Sequence, residues 1–243
     1  MTDSRIVIAL DFSSESQVLD FTAQLEPAMC KLKVGKELFT LAGPSVVRQL
    51  IDKGFDVFLD LKFHDIPNTV ARACKVAADM GVWMLNVHAL GGRNMLLAAR
   101  EALEGSENRP LLIAVTILTS MGKQDLQEIG LSGNPEDNVL RLAALTQEAG
   151  LDGVVCSSRE VTSLRQAQGE AFTLVTPGIR PAGSEVGDQK RIMTPTDAIR
   201  AGSNYLVIGR PITQATDPIQ MLETINSELA ALRDVGIGLH ENQ

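Results

Sequence analysis

In the segment Phe58-Leu-Asp-Leu-Lys-Phe-His-Asp-Ile-Pro-Asn-Thr69, three charged side chains, Asp60, Lys62 and Asp65, crowd into six positions. The segment opens as an apolar run, which reads as a buried strand, yet it carries an acid and a base two positions apart. Residues two apart on a strand share a face, so Asp60 and Lys62 project together. Burying such charges is costly unless they are paired. A plain structural Asp–Lys bridge is one reading. Asp65, in the turn that follows, favours an arranged catalytic site. An ammonium held against a carboxylate can stabilise negative charge developing on a substrate and then deliver a proton.

Further charges join this set. In Cys30-Lys-Leu-Lys-Val-Gly35, Lys31 and Lys33 share a face, and Lys36 and Glu37 follow in the next turn. Lys33 lies at the strand's end, where it can reach Asp60; Lys31 points into a deeper layer or toward solvent. Asp11 ends the run Val7-Ile-Ala-Leu and reads equally as a site acid or as the N-cap of the next helix. Near the other end stand Thr176-Pro-Gly-Ile-Arg-Pro181 and Ile208-Gly-Arg-Pro-Ile-Thr213. Gly209 permits close backbone approach, a helix starting near Pro211 offers N–H groups to an anion, and Arg210 can add a two-pronged contact. Taken alone, Gly-Arg-Pro is also an ordinary turn. The polar stretch from Pro181 to Arg191 has the length of a lid or binding loop. Of the three histidines, His64 reads as supporting or structural, His88 ends a strand without an assigned role, and His240 lies in the tail. No HxH, HExxH or carboxylate–histidine grouping has ligand spacing, so no metal is expected.

The elements that must position these groups are short apolar runs rich in β-branched residues: Arg5–Asp11, Cys30–Val34, Val57–Lys62, Trp83–His88, Leu111–Leu118, Gly153–Cys156, Phe172–Thr176 and Tyr205–Ile208. Continuous apolar runs are what buried parallel strands look like. Between them lie amphipathic stretches, among them Glu15–Leu25, Pro44–Lys53, Thr69–Met80, Asn94–Leu103, Glu136–Ala149 and Pro195–Ala201. Gly54, Gly81, Gly150 and Gly202 stand where helix-ending glycines belong. Strand and helix alternating in this way predict an α/β fold, a single (β/α)8 TIM barrel, as one domain over residues 1–243. In such barrels catalytic groups sit at the strands' C-terminal ends, and phosphate often binds after strands seven and eight. The runner-up, a doubly wound open sheet, lacks a GxGxxG turn after its first strand, which reads Asp11-Phe-Ser-Ser14.

Composition removes other classes. A net charge of -8 argues against binding nucleic-acid phosphates but does not exclude a small anionic substrate, because local fields can oppose the global one. Cys30, Cys74 and Cys156 form no CxxC pair and read as buried free thiols of a reducing cytoplasm. No signal peptide or membrane span is evident in the sequence, so a cytoplasmic protein is expected.

The order Ala9-Leu-Asp11, Lys31-Leu-Lys-Val-Gly-Lys-Glu37, Asp60-Leu-Lys-Phe-His-Asp65, Leu118-Thr-Ser120, Thr176-Pro-Gly-Ile-Arg-Pro181, Gly187-Asp-Gln189 and Ile208-Gly-Arg-Pro211 resembles the orotidine 5'-phosphate decarboxylase family, its bacterial branch most of all. The resemblance implies cofactor-free conversion of orotidylate to UMP and CO2 in pyrimidine biosynthesis. It implies Lys62 as the proton donor to C6 and Asp60 near the departing carboxylate, either destabilising it or holding the lysines. Lys33 would pair with the acids and reach the ribose, and Asp11 would take ribose hydroxyls. Thr119 would read the pyrimidine edge, and Arg180, Gln189, Gly209 and Arg210 would bind substrate, with Gln189 bridging phosphate and base. Asp65, with Ile66 and Thr69, would serve the second site of a homodimer. Two rivals remain: a magnesium-dependent sugar-phosphate decarboxylase of the same superfamily, and a phosphate-binding barrel without activity.

Overall fold

The computed structural model describes residues 4–106, 108–181 and 193–234. Eight strands close into one barrel in sequence order, every neighbouring pair parallel. They are β1 (Ile6–Ala9), β2 (Lys31–Gly35), β3 (Val57–Phe63), β4 (Met84–His88), β5 (Leu111–Val115), β6 (Gly153–Val155), β7 (Thr173–Pro177) and β8 (Tyr205–Ile208). The helices are α1 (Glu15–Thr22), α2 (Lys36–Asp52), α3 (Pro67–Asp79), α4 (Gly92–Glu101), α5 (Lys123–Glu128), α6 (Pro135–Glu148), α7 (Val161–Gln168), α8 (Pro195–Ala201), α9 (Arg210–Thr213) and α10 (Pro218–Asp234). The expected TIM barrel is therefore the fold. None of the described helices is long and apolar enough to cross a membrane.

Alternation along the strands divides the core in two. Val7, Ala9, Phe58, Met84, Ile113, Val175 and Val207 fill the barrel interior, while Ile6, Ile8, Leu32, Leu59, Leu85, Leu112 and Leu206 face the helices. Gly54, Gly81, Gly150 and Gly202 all adopt positive φ directly after helical segments, as their positions in the sequence predict. Helix α10 repeats buried Leu222, Ile225, Leu229 and Leu232 at three- and four-residue spacing, and so packs one face on the barrel.

Two details depart from the sequence reading, and a third decides between alternatives that it left open. The strand expected over Leu111–Leu118 stops at Val115, because its partners His88 and Val155 are the last residues of β4 and β6. Thr119 is therefore on a loop, not at a strand end. The helix expected from Pro44 does start there, after a break at Gly43, which has φ +64, but a further helical stretch from Lys36 precedes it within α2. Last, Lys31 lies in the deeper layer: its buried ammonium is 2.6 Å from Asp56 Oδ2 and 4.4 Å above the Trp83 ring, which packs edge-on against Tyr205. These three side chains fill the barrel floor, at the N-terminal ends of β2, β4 and β8.

Candidate active site

At the opposite end, the carboxylate of Asp60 is the hub of the charged cluster. Its Oδ1 meets Lys62 Nζ at 2.5 Å, and its Oδ2 meets Lys33 Nζ at 3.3 Å. Lys33 Nζ also lies 3.6 Å from Asp11 Oδ1. The chain of charges thus alternates in sign across β1, β2 and β3: Asp11, Lys33, Asp60, Lys62. Burial pushes the Asp60 carboxyl up, but the Lys33 and Lys62 charges and the hydrogen bonds from Lys62 and Asn86 outweigh it and hold the group below the usual carboxylate range. Asp60 is therefore ionised at neutral pH although its side chain is only 11% exposed.

Simple alternation does not bring Lys62 to Asp60. Leu59 pairs with Leu85, but the next pair along the ladder is Phe63 with Val87, so β3 bulges between them. Within the bulge Lys62 takes φ +54, the left-handed region that a non-glycine residue seldom occupies. Its backbone N–H donates to Asn86 Oδ1 at 2.8 Å, and Asn86 Nδ2 donates to Asp60 Oδ1 at 2.7 Å. Asn86, fully buried in the middle of β4, is the residue that sequence reading missed. A signal was there: in Met84-Leu-Asn-Val-His88 a lone amide interrupts an apolar strand and shares the inward face with Met84.

Lys33, Asp60 and Lys62 border a cavity of about 200 Å³ with Thr119, Ile117 and Val155 among its walls. A second cavity, about 520 Å³, is bounded by Arg180, Arg210 and the start of α10. Arg180 is buried and donates to the Ile179 carbonyl; burial, then the adjacent Arg210 charge, lowers its pKa. Two neighbouring guanidinium groups make this a place for an anion. The α9 amides contribute less than the sequence suggests, because Pro211 has no N–H and those of Ile212 and Thr213 bond to the Gly209 carbonyl. At Gly209 an added Cβ would come within 3.4 Å of Ala9 Cβ and 3.8 Å of Asp11 Oδ2, so the backbone passes close to the site's first acid.

The remaining expectations divide. Asp11 does not cap α1, since Ser14 does; its carboxylate, 66% exposed, stays with Lys33. Asp65, Ile66 and Thr69 are exposed on the turn after β3 and the start of α3. Asp65 Oδ1 accepts from Ile66 N at 2.7 Å, and Ile66 is 67% exposed. Gln189, with the loop stretch 182–192, and the tail from residue 235, including His240, lie outside the described residues. His64 sits over His88, ring centres 5.4 Å apart. Burial, the His64 charge and then those of Lys36 and Lys62 lower His88 to about 4 against a smaller pull from Asp60, so it is neutral at pH 7. Its buried Nδ1 has no partner among the described residues. All three thiols are buried and free, and burial raises each to about 12.

Residues 4–225 match the orotidine 5'-phosphate decarboxylase / HUMPS family. Orotidine 5'-phosphate decarboxylase of Nitrosococcus oceani is 62% identical over 230 residues, 95% of this chain and 99% of that protein. The Hydrogenovibrio crunogenus protein of the same name is 61% identical over 227 residues, 93% of this chain and 96% of its own length. Among solved structures, orotidine 5'-phosphate decarboxylase from Lactobacillus acidophilus superposes with a TM-score of 0.83 at 40% identity, covering 93% of this chain and 99% of that one.

Proposed function

Because the chain belongs to the orotidine 5'-phosphate decarboxylase / HUMPS family, we propose that it converts orotidine 5'-phosphate to UMP and CO2 in pyrimidine biosynthesis. The observation that carries the reading is the alternating Lys33–Asp60–Lys62 cluster bordering a cavity at the C-terminal mouth of the barrel.

The chemistry asks for little else. The bond from C6 to the carboxylate breaks, CO2 leaves, and the electron pair stays on C6. Lys62 places its ammonium beside that carbon, stabilises the growing charge and transfers a proton to it. Lys62 is then neutral and regains a proton from solvent. Asp60 keeps the ammonium in place and puts negative charge beside the departing carboxylate. Lys33 and Asp11 take the ribose hydroxyls, and Thr119 meets the pyrimidine edge. Gly209, Arg180 and Arg210 hold the phosphate, with Gln189 linking phosphate and base. Remote binding energy of this kind serves the reaction when it is tied to the transition state at C6.

The exposed Asp65, Ile66 and Thr69 suit a shared site: in a homodimer they reach the neighbouring protomer's cavity. We read the chain as a single decarboxylase domain over residues 1–243, working in the cytoplasm without cofactor. Purified protein, expected to sediment as a dimer of 26.1 kDa chains, should convert orotidylate to UMP with excess EDTA present, followed by ultraviolet absorbance. Loss of that turnover, with magnesium restoring activity on a keto-sugar phosphate, would move the chain to the metal-dependent branch. Tight nucleotide binding without turnover would make it a binding barrel.

The phosphate assignment has its own test. Arg210→Ala is expected to weaken UMP about a hundredfold, since hydrogen bonds from a charged group contribute ~3 kcal/mol when two are lost together. An unchanged dissociation constant for UMP, by titration calorimetry, removes Arg210 from the phosphate site.

A further inference from the structure

We propose that Asn86 is a positioning residue for this reaction, its single carboxamide fixing both the backbone that presents Lys62 and the Asp60 oxygen that meets the Lys62 ammonium. The inference rests on the roles given above to Lys62 and Asp60. Asn86 is completely buried in β4, on the barrel's inward face with Met84. An apolar side chain would fill that place without needing partners, whereas a buried amide left unpaired is costly. Here both ends of the amide are used, and both are used on the same charged pair.

The two bonds do different work. Left-handed backbone is strained for a non-glycine residue such as Lys62, at φ +54. The bond from Lys62 N to Asn86 Oδ1 secures that conformation, and the conformation turns the Lys62 side chain back beside Asp60. The bond from Asn86 Nδ2 shares Asp60 Oδ1 with Lys62 Nζ, which leaves Oδ2 to Lys33 and the cavity. After Lys62 has given up its proton, its attraction for Asp60 weakens. The Asn86 bond persists, so the carboxylate keeps its orientation until the lysine is charged again.

The same bond adds to the Lys33 and Lys62 charges in holding Asp60 ionised. The charged and titratable groups around it are Lys33 from β2, Lys62 on its own strand and His88 from β4, with Asp11, just past β1, reached through Lys33. Removing the Asn86 donor raises the Asp60 pKa, and the acid limb of kcat moves to higher pH.

Wild-type turnover of orotidylate is measured first, and its absence overturns the underlying reading. With turnover present, Asn86→Ala is expected to lower kcat roughly a hundredfold, the loss typical of an ångström-scale misplacement. UMP affinity, set at the ribose and phosphate, is expected to stay within about threefold, and the acid limb of kcat to rise. Asn86→Asp keeps the size and the acceptor for Lys62 N–H but sets a second carboxyl against Asp60, and because two carboxylates in contact do not both ionise, the pair takes up a proton at higher pH than Asp60 does in the wild type. It should show the same upward shift, and it carries the test if the alanine variant fails to fold. A folded variant with near-normal kcat, or one with reduced kcat and an unmoved acid limb, overturns the role.

Discussion

Lys62→Ala is expected to lower kcat on orotidylate by at least ~10³-fold while UMP affinity changes little. The size follows from the two roles proposed for one atom. A positioned general acid contributes ~10²–10⁴-fold, and a preorganised charge facing a developing anion adds a comparable term. Lys62 Nζ sits at 2.5 Å from Asp60 in the resting protein, so its position is fixed before substrate arrives. The fold should survive, because the lysine side chain is a quarter exposed and Asp60 retains Lys33 and the Asn86 donor. Single-turnover absorbance and UMP titration on the same preparation check both halves. Near-normal kcat would remove Lys62 as the proton donor.

Asp60→Asn separates two ways in which an acid can serve this chemistry. The variant leaves Lys33 and Lys62 facing the cavity, with Asp11 the remaining carboxylate near Lys33. The expected result is a kcat lowered by ~10²–10³-fold, because the Lys62 ammonium loses the partner that aims it. Affinity for orotidylate should rise relative to UMP, since the substrate's carboxylate takes over as counter-ion. Unit charges 4 Å apart near a protein surface interact by about 4 kcal/mol, so even a partial gain exceeds tenfold. A fall in kcat with no change in that affinity ratio would assign Asp60 wholly to orienting the lysines.

The barrel is legible in the sequence because buried parallel strands are continuous apolar runs and the glycines between helix and strand punctuate them. Tyr205–Ile208 and Pro195–Ala201 coincide with the structure end to end. Strand five does not, since an apolar run says nothing about where its neighbours stop. The Lys33, Asp60 and Lys62 cluster follows from period-two spacing and from charge where none belongs. Period two gives the right company for Lys62 by a different route: the bulge and the positive φ supply the contact. Lys31 and Lys33 are alike in sequence, and only their heights in the barrel separate a floor residue from a site residue. Asn86 escapes notice because a neutral amide within an apolar strand carries no charge signal.

The packed floor has a consequence for traffic. Lys31, Trp83 and Tyr205 occupy the end of the barrel beneath the charged cluster, with the Lys31 ammonium braced by Asp56 and two aromatic rings. Gas released at C6 therefore meets side chains below and an opening above, on the side from which the nucleotide entered. Both products share one doorway. CO2 is small enough to slip past a nucleotide still held by its phosphate, whereas on the proposed reading the nucleotide has to leave Arg180 and Arg210 before it moves. The expected order of departure is accordingly gas first and UMP second, with the slower exit the one tethered by charge.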